Sequence, residues 1–69
     1  MRWTVIYEQD PQTGDWGAYA ADLPVFAGGD TREEVERLIR EAIAFHLNGL
    51  RSEELPVPEP RSVVGAVDV

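Results

Sequence analysis

The chain has 69 residues, 13 acidic and 6 basic side chains, a formal charge of −7 at pH 7, and no cysteine. That length suits a single small domain over 1–69, which buries only about 60% of its unfolded surface and is marginally stable unless reinforced. The charge opposes direct binding to a phosphate backbone by this chain alone, and the missing cysteines remove disulfides, thiolate nucleophiles and the usual zinc ligands.

The opening segment MRWTVIYEQD contains no apolar run long enough for a signal peptide or a membrane span, so the expectation is a cytoplasmic protein. Arg2 to Glu8 alternates Trp3, Val5 and Tyr7 against Thr4, Ile6 and Glu8, the period-2 pattern of a strand. Asp10 to Gly14 is turn chemistry, with Pro11 presetting its backbone angle and Gly14 free to take a positive φ. Trp16 to Ala20 returns as a second strand and completes a hairpin. Asp22-Leu23-Pro24 interrupts the ladder, Val25 to Ala27 forms a short third strand, and Gly28-Gly29 turns the chain toward a helix.

Thr31 to Leu50 is the only long periodic segment. At about 100° per residue, Val35, Leu38, Ile39, Ala42, Ile43, His46 and Leu50 share one side, with Phe45 and Leu47 at its margins. Thr31 and Glu34 form a capping box, Asp30 is a rival cap, and Gly49 is placed to close the helix. Glu33 with Arg37 and Glu36 with Arg40 have i,i+4 spacing on the wet face. Pro56, Pro58 and Pro60 then space a stiff connector, and SVVGAVDV alternates as a final strand.

The resulting expectation is an α+β domain of order β-β-β-α-β: a mixed sheet with one helix packed on one face. The last strand would lie parallel beside the first through a right-handed crossover. The expected core is Trp3, Val5, Tyr7, Ala18, Val35, Leu38, Ile39, Ala42, Ile43, Val63 and Val67.

Chemistry is sparse. His46 is the sole histidine and sits within the apolar stripe, which suits a packed or subunit-contact histidine better than a catalytic base. Ser52 and Ser62 have no evident base, and Gly28-Gly29 lacks the spacing of a phosphate loop. A metal-dependent nuclease could assemble Asp10, Asp15 and Asp22 with Glu34, but their spacing does not require it. The residues therefore favour an interaction module over an enzyme, with no catalytic, cofactor-binding or metal-ligating set. The acidic balance favours a basic protein partner.

Several segments together resemble the HicB-like antitoxins of type II toxin–antitoxin systems. These are the aromatic first strand Trp3-Thr4-Val5-Ile6-Tyr7-Glu8, the acidic glycine-bearing turn and tyrosine strand from Asp10 to Tyr19, then Asp22-Leu23-Pro24, Gly29-Asp30-Thr31 and Glu33-Glu34-Val35, and finally Pro56 to Pro60. The resemblance spans nearly the whole chain. It implies a partial ribonuclease-H-like sheet that binds and neutralises a small basic mRNA-cleaving toxin of the HicA type, within a dimer or larger homo-oligomer. Val25-Phe26 departs from the Gly-Cys pair common in that family. Many members also carry a separate DNA-binding domain, which residues 1–69 do not include, so operator binding is not carried over.

The expected partner-facing residues are Asp10, Asp15, Asp22, Glu33, Glu34, Glu36 and Glu41. The alternative expectation is an orphan homo-oligomeric interaction module of HicB-like fold with no toxin, suited to a small core and exposed sheet edges.

Overall fold

The computed structural model describes all residues from Met1 to Val69. Its elements are β1 (Val5–Gln9), β2 (Trp16–Ala20), β3 (Phe26–Gly29) and α1 (Arg32–Ser52). They make a small α+β domain: a three-stranded antiparallel sheet in the order β1-β2-β3, with one helix on one face.

The first turn is tight for local reasons. The Asp10 carboxylate accepts from the Gln12 and Thr13 amides at 2.8 and 3.3 Å, and Gly14 has φ +80°, the left-handed region where a side chain costs energy. The turn fixes the register Val5↔Ala20, Tyr7↔Ala18 and Gln9↔Trp16. β3 continues it through Ala18↔Ala27 and Trp16↔Gly29. Trp3, Val5 and Tyr7 therefore share a face with Ala18, Ala20, Val25 and Ala27, as the alternation predicts, and the helix covers this face. Gly28 and Gly29 belong to β3, so the turn into the helix is only Asp30-Thr31.

α1 begins at the predicted cap. The Thr31 hydroxyl accepts from the Glu34 amide at 3.2 Å, with Thr31 in extended backbone. Val35 and Ile39 are completely enclosed, and Leu47, placed at the stripe's margin by periodicity, is buried too. Each such side chain contributes about 1.5–3 kcal/mol relative to exposure. Leu38, Ala42, Ile43 and His46 are half-buried, while Phe45 is 82% exposed. The ion pairs run from Arg32 to Glu36 (3.0 Å) and from Arg37 to Glu41 (3.5 Å), not along the two pairings expected.

The helix does not close at Gly49, which lies inside it. Glu54 takes the left-handed conformation instead, at φ 58°. The Glu54 amide donates to Arg51 O (3.1 Å) and the Leu55 amide to Leu50 O (2.8 Å), the two bonds of a Schellman closure.

The largest departure follows. Residues 53–69 contain no strand, so the sheet is antiparallel and three-stranded instead of mixed and four-stranded. Val57 packs against the core, but Val63 and Val67, expected inside, are 90% and 85% exposed. The chain is held at Ser62 and goes no further along the sheet. Asp22 Oδ2 accepts from the Arg61 and Ser62 amides (3.0 Å each), Asp22 Oδ1 accepts from the Ser62 hydroxyl (2.7 Å), and the Thr4 hydroxyl donates to Ser62 O (3.1 Å).

Candidate interaction surfaces

The register places the end of β1, the start of β2, the end of β3 and the start of α1 at the same end of the molecule. Glu8, Asp10, Asp15, Asp30, Glu33, Glu34 and Glu36 all lie on these segments, with Arg32 as the base among them. Arg32 is already engaged: it pairs with Glu36, and its guanidinium carbon sits 5.0 Å from the Tyr7 ring centroid and 5.9 Å from that of Trp16. The result is an acidic pole. Glu33 and Glu34 gain there from the positive end of the helix dipole.

Five of the seven sequence-predicted partner residues meet at this pole: Asp10, Asp15, Glu33, Glu34 and Glu36. Their surroundings differ. Asp10 is committed to its turn and Glu36 to Arg32, and Glu34 folds back so that its carboxylate lies against Gly29. Asp15 and Glu33 are exposed and make no side-chain ion pair. Sequence reasoning missed Glu8 and Asp30, although each stands within three residues of a predicted partner residue, Asp10 and Glu33.

The other two are elsewhere. Glu41 is on the wet face in mid-helix, paired with Arg37. Asp22 lies beyond the far end of β2, about 17 Å of strand away from Asp15, and its carboxylate clasps the tail. The Ser62 hydroxyl, then the Ser62 and Arg61 amides, hold the Asp22 pKa below the ordinary carboxylate value. Asp10, Asp15, Asp22 and Glu34 are thus not one constellation. No three His or carboxylate side chains converge closely enough to hold a metal ion.

Two apolar surfaces flank the sheet. Beside β3, a shallow groove runs between Val25 and Phe26 on one wall and Ala42, Phe45, His46 and Leu50 on the other. Phe26 is 81% exposed because β3 points it away from the helix, and with Phe45 it marks the rim. Alternation around Val25 and Ala27 carried this signal in the sequence, since it assigns Phe26 to the outer face. Beside β1, a trough of about 390 Å³ is lined by Met1, Trp3, Val5, Tyr7, Ile39 and Ile43, with Glu36 and Arg40 on its rim. It exists because α1 lies over β2 and β3, leaving the helix-side residues of β1 half-covered.

No helix is long and apolar enough to cross a membrane. Compared with known proteins, the chain matches no family model, no curated protein and no solved structure.

Proposed function

We propose that this chain is a docking module whose acidic pole receives a small basic protein, and that it works as an antitoxin-like inhibitor of a HicA-type mRNA-cleaving toxin in the cytoplasm. The convergence of seven acidic side chains on one end of a small domain carries the docking part. Such a field attracts a basic surface and speeds its capture, and it repels RNA, so the chain competes with the toxin's substrate by covering the toxin. The toxin's identity, and the HicB-like, partial ribonuclease-H-like assignment of the fold, rest on the sequence resemblance alone. The chain acts by binding and brings no chemistry of its own.

The test is co-expression with the product of the adjacent small reading frame, followed by pull-down and a growth assay. Asp15→Lys, Asp30→Lys and Glu33→Lys together remove three charges that support no helix ion pair. Binding should weaken by at least about 10-fold, with a shallower salt dependence, while Glu41→Lys leaves it within about twofold. Unchanged binding by the triple variant would sink the electrostatic reading. A neighbour that is neither toxic nor bound would remove the toxin.

The second reading, an orphan homo-oligomer without a toxin, draws support from the apolar groove and trough along both sheet edges.

A further inference from the structure

We infer that residues Val63–Val69 form the missing fourth strand of a second copy of this chain, adding to the free edge of its β1 so that two copies exchange tails. The inference deepens the homo-oligomer reading and is independent of any toxin.

Three observations carry it. The first is the edge. The Ala21 amide donates to Thr4 O at 3.0 Å just beyond the paired strands, so by alternation Ile6 and Glu8 are the residues of β1 bonded to β2. By alternation the N–H and C=O groups of Val5 and Tyr7 point outward, unpaired, along the edge that borders the trough. An open edge next to an apolar trough is a template for one more strand.

The second is the tail. Val63, Val64, Val67 and Val69 are all at least 77% exposed. Along an extended VVGAVDV, the set Val63, Gly65, Val67 and Val69 is wholly apolar, and Asp68 falls on the other side. The odd-numbered set therefore matches Trp3, Val5 and Tyr7 around the trough. Seven residues reach about 23 Å, enough to run the length of β1. In this structure the tail leaves its own sheet at the Asp22–Ser62 clasp, on the side of Thr4 away from the helix.

The third is size. A compact chain of 7.7 kDa has roughly 4,300 Å² of accessible surface, and this one has 5511 Å². Its radius of gyration is 13.7 Å against about 11 Å for a compact domain of this length. The excess surface, on the order of 1,200 Å², is the scale one partner buries in a stable dimer. Exchange of an identical segment between two copies removes that excess by contacts one fold already specifies.

The experiment uses the full chain and two variants, checked for native fold by circular dichroism. Val63→Asp with Val67→Asp alters the tail at positions that make no core contact. Val5→Pro deletes an outward N–H at the first residue of a strand, where proline is tolerated, and leaves the ladder to β2 intact. Sedimentation at micromolar concentration should give a dimer for the full chain and a dissociation constant raised at least about 100-fold for each variant alone. An equimolar mixture should recover heterodimer in native mass spectrometry, because the intact tail of one variant meets the intact edge of the other. A monomeric full chain overturns both this inference and the homo-oligomer reading. A dimer that either variant leaves unchanged, or one that mixing fails to restore, overturns the tail exchange and leaves the homo-oligomer standing.

Discussion

Two stretches of this chain carry the same pattern and meet different fates. Val5 to Gln9 and Val63 to Val69 both carry the alternating, β-branched pattern of a strand, yet the first is a paired strand and the valines of the second are exposed. The difference lies in what each can reach. β1 is six residues from β2 through a turn stabilised by the Asp10 carboxylate and Gly14, so closing the hairpin costs little entropy. The tail must cross from the end of a 21-residue helix through a proline-spaced connector, and Asp22 arrests it at Ser62. Alternation marks competence to be a strand. It does not say which edge the strand will find.

The sharpest way to break that contrast is to compare core and tail directly. Ile39 is almost completely enclosed, and Ile39→Ala should cost about 2–5 kcal/mol, most of the stability of a domain this small, read as a lowered urea midpoint. Val67→Ala, measured in protein dilute enough to be monomeric, should stay within about 0.5 kcal/mol. If the two substitutions cost alike, the tail is packed in the monomer and the contrast dissolves.

What was legible in the sequence follows from range. β2 was bounded correctly and the helix start at Thr31 was read from its cap, signals within a few residues of their effect, whereas alternation grouped Val5 with Tyr7 without fixing which face of β1 turns inward. The final strand failed because strand pairing depends on a distant edge. Gly49 failed as the closing residue because Leu50, just beyond it, packs against the core and keeps the chain helical, moving the left-handed position to Glu54. Of the site, the charges themselves were visible. Their grouping was not, since register and helix entry decide that Asp15 and Glu33 share an end and that Asp22 does not.

Glu54 offers a smaller test at the junction where the tail departs. It holds φ 58°, a conformation that costs a non-glycine residue roughly 1 kcal/mol, and the Schellman bonds persist without its side chain. Glu54→Gly should raise stability by about 1 kcal/mol, a melting-temperature gain of about 4–8 °C at this size. No gain would mean that the helix end frays and that the tail is not launched from a fixed turn.

The finest test concerns the clasp, and its sign is set by Asp22. Hydrogen bonds from Ser62 and Arg61 favour the carboxylate, so the folded pKa lies below the ordinary value of about 3.9. The clasp is therefore fully formed above that ordinary value and is lost as pH falls through the depressed one. Amide resonances of Arg61 and Ser62 should keep their clasped positions down to about pH 4 and then move together toward free-chain values, before the resonances of Val35 and Ile39 change. Asp22→Asn supplies the reference: a neutral amide replaces the charged acceptor, and the two amides should sit near their released positions at every pH. If instead both proteins lose tail and core signals together, the tail is not an independently tethered segment, and the chain behaves as one cooperative unit from Val5 to Val69.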